Sequence, residues 1–190
     1  MEALKKKILT DGQAIGTEIV KVDGFLNHQI DIKFMDLIGK EFAKRFDYKK
    51  VDKILTVEAS GIAIACMTAP YFDYPPVVFA KKTIPSTMND GFYIAEARSF
   101  TKGTVSNIRA AKKYLSKGDR VLILDDFLAH GEASMAMIQL VLKAEAQVVG
   151  VGAVIEKAFQ GGGQKLIDAG YRLESLVTIE KIRDGQITFR

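Results

Sequence analysis

Val121-Leu122-Ile123-Leu124-Asp125-Asp126-Phe127-Leu128-Ala129-His130-Gly131-Glu132-Ala133 is the stretch that decides the fold. Its four leading residues are apolar and unbroken, the pattern of a strand covered on both faces, as in a parallel sheet. Two carboxylates end that run, and a loop of small residues follows. Beyond Gly131, the residues Met135, Ile138, Val141 and Leu142 form a stripe on one helical face. The unit is therefore strand, loop, helix.

The same alternation extends outward. Val51–Val57, Pro76–Ala80 and Val148–Ile155 read as further strands. Phe34, Leu37, Ile38 and Phe42 mark one face of a helix from about Asp31 to Phe46, and Ile62–Ala69 is a small apolar helix ended by Pro70. Alternating strands and helices predict an α/β fold with a central, mostly parallel sheet flanked by helices. Thr83–Gly103 breaks the rhythm. It is polar, contains Asn89-Asp90-Gly91, and reads as a long mobile loop or hairpin, a lid candidate. The first 30 residues fit least well and read as an accessory cap over one edge of the sheet. Gly161-Gly162-Gly163 lacks the Lys-Ser/Thr tail of a triphosphate loop and reads as a turn.

Composition bounds the rest. At 190 residues, 48% hydrophobic and 26% charged, the chain suits one globular domain, residues 1–190, and excludes wholesale disorder. A single cysteine, Cys66, excludes an intramolecular disulfide framework and reads as a small buried hydrophobe. Two histidines, His28 and His130, do not suggest a His-rich metal site. The net charge of +4 is mild and spread out, which points to an anionic small substrate rather than nucleic acid. No run of 18 apolar residues and no apolar N-terminal core occur, so neither a membrane span nor a signal peptide is expected, and a reducing cytoplasm fits.

In open α/β sheets, ligands bind beyond the carboxyl ends of strands. The helix start near Gly131 offers unpaired N–H groups and the positive end of a dipole. Asp125 and Asp126 are acceptors, suited to sugar hydroxyls or a hydrated Mg²⁺. Paired acids can also merely cap a helix, but the flanking pattern favours a pocket for a sugar phosphate.

Here the sequence resembles a known family. Four apolar residues, two acids and a small-residue loop are similar to the phosphoribosyl-pyrophosphate (PRPP) signature of type I phosphoribosyltransferases. The wider likeness covers essentially the whole chain and is to the bacterial xanthine phosphoribosyltransferases. It rests on Lys21–Asp31, Glu58–Ala63, Ser99–Lys102, Asp125–Ala129 and Val154–Gln160. The resemblance implies the type I phosphoribosyltransferase fold with a small hood from the N- and C-terminal segments, residues 1–30 contributing to base binding. It further implies a homodimer, Mg²⁺ as cofactor, and purine salvage from xanthine and PRPP.

The resemblance also implies residue roles. Ala129, His130, Gly131, Glu132 and Ala133 would hold the 5-phosphate. Asp125 and Asp126, the catalytic pair, would take the ribose hydroxyls directly or through Mg²⁺-bound water. Ala59, Ser60 and Gly61 would form the pyrophosphate loop, with Lys81 and Lys82 neutralising pyrophosphate. Val20, Asn27 and Lys157 would surround the purine, and Phe159 could lie against its face. Glu132 departs from the family pattern: a carboxylate beside a phosphate is unfavourable unless it points away. His130 reads as a loop side chain rather than a base. A hypoxanthine/guanine transferase of the same fold is the alternative. A PRPP-sensing regulator would need a DNA-binding segment, and the α/β pattern occupies residues 1–190.

Overall fold

In the computed structural model, residues 1–46, 50–83, 91–99 and 104–190 are described. Six strands form the central sheet: β3 (Lys53–Val57), β4 (Val77–Ala80), β7 (Arg120–Leu128), β8 (Gln147–Lys157), β9 (Leu173–Arg183) and β10 (Gln186–Phe189). Their order is β10-β9-β8-β7-β3-β4, parallel throughout except for the antiparallel β10. The apolar stretch of the sequence lies in β7, with β3 and β8 as neighbours. Leu122, Ile123 and Leu124 are fully buried there, as expected of a strand covered on both faces.

The helices are α1 (Glu2–Asp11), α2 (Ile32–Phe46), α3 (Ser60–Thr68), α4 (Glu132–Lys143) and α5 (Gly162–Asp168). Asp31 starts α2 by accepting the Phe34 N–H at 3.0 Å, a side-chain cap. Two glycines of β8 then set how closely α2 approaches. A Cβ at Gly152 would lie 2.8 Å from the Phe42 ring, and one at Gly150 would lie 2.6 Å from the Phe46 ring. The aromatic rings therefore seat in notches of the sheet, and both are fully buried. Phe42→Ala is expected to lower the unfolding free energy by about 3–5 kcal/mol, read as an earlier urea midpoint at unchanged slope.

Several sequence expectations shift. Leu37 and Leu142 were expected on buried helix faces, and both are exposed. Each lies at the margin of its stripe, where Met35 and Phe46 on α2, and Met137 and Leu140 on α4, take the core positions instead. Cys66 is exposed rather than buried, because α3 turns Ile64, Ala65 and Thr68 inward. Of the lid candidate Thr83–Gly103, residues 84–90 and 100–103 lie outside the described residues. The remainder is part of a hairpin, β5 (Phe92–Ser99) against β6 (Thr104–Ala111). It joins the main body through the Lys81–Arg109 bridge and through Lys143 Nζ, which donates to the Ile94 carbonyl at 2.5 Å.

The N-terminal segment folds as α1 and a small hairpin of β1 (Gln13–Ile15) with β2 (Ile19–Lys21), followed by a wide helical turn, Asp23–Asn27. Leu4 and Ile8 pack with Leu176, Ile179 and Ile182, so α1 does cover the β9 side of the sheet. Lys7 ties this segment to α2: its ammonium lies 3.0 Å from Asp31 and over the rings of Phe25 and Phe34. The hairpin and turn go further than an edge cap, because they reach the carboxyl ends of β7 and β8.

Candidate active site

The carboxyl ends of β7 and β8 meet the N-terminal segment, and β3 and β4 end beside β7 in the same parallel run. Asp125 and Asp126 sit in the last half of β7, which extends to Leu128 rather than stopping at Leu124. Neighbouring strand residues face opposite sides. Asp125 accordingly turns into the protein and is 5% exposed. Its Oδ1 accepts the Asp126 N–H at 3.0 Å. Burial, then the neighbouring Asp126 charge, push the Asp125 carboxyl well above the usual carboxylate range, against a smaller opposing pull from Lys82. Asp126 turns toward the hood and accepts Asn27 Nδ2 at 3.2 Å.

Lys157 closes β8 one position beyond the Leu128–Glu156 register pair. Its ammonium donates to the Glu18 carbonyl at 2.8 Å and lies 5.4 Å from the centre of the Phe127 ring. Burial lowers its pKa from the ordinary lysine value. Val20, in β2, is buried, whereas Asn27 is exposed. Asn27 reaches the end of β7, and Lys157 reaches the β1–β2 turn. Phe159 is 39% exposed, in the short turn after Lys157.

The loop Ala129–Ala133 leads into α4, with Gly131 in the left-handed region at φ 80°. Only glycine adopts this conformation without strain. A Cβ there would also lie 3.2 Å from the Gly162 backbone. The loop is seated on the segment after β8: the Gly162 N–H donates to Ala129 O at 3.0 Å, and His130 Nδ1 lies 3.1 Å from Gln160 O. His130 therefore serves as a loop anchor in this geometry. Gly161 does make a left-handed turn, but Gly162 and Gly163 open α5, so the glycine run is more than a turn. Glu132 does not point at the loop amides. Its Oε1 lies 2.6 Å from Lys165 Nζ.

Ala59, Ser60 and Gly61 form the start of α3 at the end of β3. Gly61 has no room for a side chain, since its Cβ would lie 1.9 Å from Thr56 Oγ1. The Thr56 hydroxyl is buried without a hydrogen-bond partner among the described residues. Glu58 accepts the Lys82 backbone N–H at 2.8 Å, joining the ends of β3 and β4. Lys81 and Lys82 diverge. The Lys82 charge acts on Asp125, while Lys81 lies over Phe79 and lines a separate cavity of about 430 Å³ beside β4, Tyr114 and Arg109.

Sequence reasoning assigned no role to Glu18, Glu58, Phe127, Gln160 or Lys165, and it read Gly162 as part of a turn. Three of these, Glu18, Glu58 and Gln160, take part through backbone groups or contact backbone groups, which carry no residue signature. The glycine run was the visible signal for Gly162.

Strand-end acids, a glycine-shaped loop at a helix start and a lysine held by the hood all lie at the carboxyl ends of β7 and β8. Residues 26–177 match the family model of the phosphoribosyl transferase domain. The chain belongs to that family. Relatives extend the match to full length. Xanthine phosphoribosyltransferase 1 of Clostridium perfringens (strain 13 / Type A) is 55% identical over 190 residues, covering 100% of both chains. Xanthine phosphoribosyltransferase of Clostridioides difficile (strain 630) is 50% identical over 190 residues, again covering 100% of both. Among solved structures, adenine phosphoribosyltransferase from Rhodothermus marinus superposes with a TM-score of 0.76 at 20% identity. That match covers 94% of this chain and 100% of the other and speaks to the shared phosphoribosyltransferase fold alone. Among the described residues, no helix is long and apolar enough to cross a membrane.

Proposed function

We propose that the protein transfers the 5-phosphoribosyl group of PRPP to xanthine, forming xanthosine 5′-monophosphate and pyrophosphate. Lys157 is the observation that carries the choice of base. It is a donor-only side chain held half-buried at the end of β8, and Asn27, on the hood against Asp126, offers both a donor and an acceptor. A 6-oxo group accepts from Lys157, whereas a 6-amino group would set donor against donor, at a cost of about 1–3 kcal/mol. Asn27 can then address a 2-oxo group. The names of the full-length relatives agree with this reading.

In the transfer, the bond from ribose C1 to the pyrophosphate oxygen breaks as a purine ring nitrogen bonds to C1. Positive charge develops on the sugar, as in glycoside cleavage. The carboxylates of Asp125 and Asp126 favour that charge and orient the ribose hydroxyls. The amides of 129–133 hold the 5-phosphate at the start of α4. Ala59–Gly61 and Lys82 receive the pyrophosphate, while Lys81 points toward the neighbouring cavity. The hood keeps water from the activated sugar.

The donor set suits Mg²⁺ that arrives on the substrate. Among the described residues, no group of three or more His, Cys, Asp or Glu could form a protein cage for a metal. Asp125 and Asp126 can instead accept hydrogen bonds from its bound waters. Held in this way, Mg²⁺ would neutralise charge on the departing pyrophosphate. The remaining parts of this reading are one domain over residues 1–190 and residence in the cytoplasm, both from the composition of the sequence, and assembly as a homodimer, from the family resemblance.

The test is pyrophosphate release with PRPP, Mg²⁺ and each base in turn. Xanthine is expected to be the preferred acceptor, with guanine and hypoxanthine weaker and adenine inactive. Lys157→Ala is expected to lower kcat/KM for xanthine by about 10–100-fold. Unchanged xanthine kinetics in that variant would place the base elsewhere, and preferred use of adenine would overturn the reading.

A further inference from the structure

Glu132 is the first residue of α4, in the turn whose amides the proposed function assigns to the 5-phosphate. A carboxylate suits a helix N-terminus when nothing else binds there, but it opposes a phosphate dianion arriving at the same amides. The structure places a cation against it. Lys165, one turn into α5, lies 2.6 Å from Glu132 Oε1, and the two side chains are 45% and 23% exposed. This approach follows from backbone packing. Gly162 at the start of α5 donates to Ala129 O, and a Cβ at Gly162 would lie 2.5 Å from the Gly131 nitrogen. The same contact that seats the loop thus carries Lys165 to Glu132.

We propose that Lys165 is a positioning residue for the sugar phosphate: it draws the Glu132 carboxylate off the phosphate loop and neutralises it, so that the loop can bind the dianion. The inference rests on the assignment of 129–133 as the phosphate loop. A half-exposed ion pair contributes little to folding. Its effect therefore falls on ligand affinity rather than on stability.

A double-mutant cycle tests this, with dissociation constants measured at low salt for PRPP with Mg²⁺, for ribose 5-phosphate, and for pyrophosphate alone. Lys165→Met is expected to weaken PRPP and ribose 5-phosphate about fivefold, and pyrophosphate less than about twofold, because the charge acts at the 5-phosphate. In a Glu132→Gln background, the same Lys165→Met change is expected to alter PRPP affinity less than about twofold. Added salt should shrink the fivefold effect, and Lys165→Arg should retain affinity. Equal weakening by Lys165→Met in both backgrounds would show that Lys165 braces the loop rather than masking a charge, and would overturn the proposal. So would an unchanged PRPP constant in Lys165→Met, or equal weakening of pyrophosphate. Wild-type protein that binds pyrophosphate but neither PRPP nor ribose 5-phosphate would instead sink the phosphate-loop assignment itself.

Discussion

Replacing Asp125 and Asp126 together by Asn is expected to lower kcat for xanthine about 10³-fold while leaving the protein folded. Two effects are removed at once: the negative field beside the ribose and the acceptors for its hydroxyls. Loss of a preorganised electrostatic contact typically costs about 10²–10³ in turnover. The cost to stability should have the opposite sign. Burial and Asp126 raise the Asp125 carboxyl above its ordinary value of 3.8. Between that value and the raised native one, the native state holds a proton that the unfolded chain has released. Stability therefore falls as pH rises through this window and stays lower above it. Asparagine removes the titration. Asp125→Asn alone should then unfold at a higher temperature than wild type at pH 7, with the difference shrinking toward pH 3. Calorimetry at both pH values beside single-turnover kinetics checks the pair. Wild-type turnover in the folded double variant would remove these acids from the chemistry.

Gly162→Ala is expected to weaken PRPP binding about a hundredfold. Its new Cβ would lie 2.3 Å from Ala129 O and 2.5 Å from the Gly131 nitrogen. Both are backbone atoms, so no side chain can swing aside, and the phosphate loop itself must open. Overpacking of this kind costs about 1–3 kcal/mol, roughly five- to 150-fold if it falls wholly on the bound loop geometry, and the two backbone clashes place Gly162→Ala toward the upper end. Gly170→Ala is the matched control. Gly170 has φ 83° with open space around its Cβ, so alanine there adds backbone strain alone. That variant should lose about 1 kcal/mol of stability at wild-type PRPP affinity. If Gly162→Ala behaved like Gly170→Ala, the seating of the loop on α5 would be irrelevant to binding.

At Glu132 the sequence leaves open which way the carboxylate turns: beside a phosphate loop its charge is unfavourable unless it points away. The ion pair with Lys165 lies 33 residues away along the chain. No local pattern connects the two, because the connection runs through the packing of α5 against the loop. The same holds for Lys81 and Lys82. Adjacent in sequence, they look interchangeable, yet just beyond β4 the Lys82 charge acts on Asp125 while Lys81 lies over Phe79.

What could be read directly was whatever repeats at the period of one element. The buried runs in β3, β7 and β8 alternate with the stripes of α2 and α4, and those periods alone require a covered parallel sheet with its ligand at the strand ends. Asp125, Asp126 and Gly131 were legible for that reason, since their place follows from where a strand stops. The C-terminal strands β9 and β10, the Glu18 carbonyl that Lys157 reaches, and the partner of Glu132 were not. Each depends on which distant segments the sheet brings together, and a side chain's partner is set by that three-dimensional neighbourhood rather than by its own type.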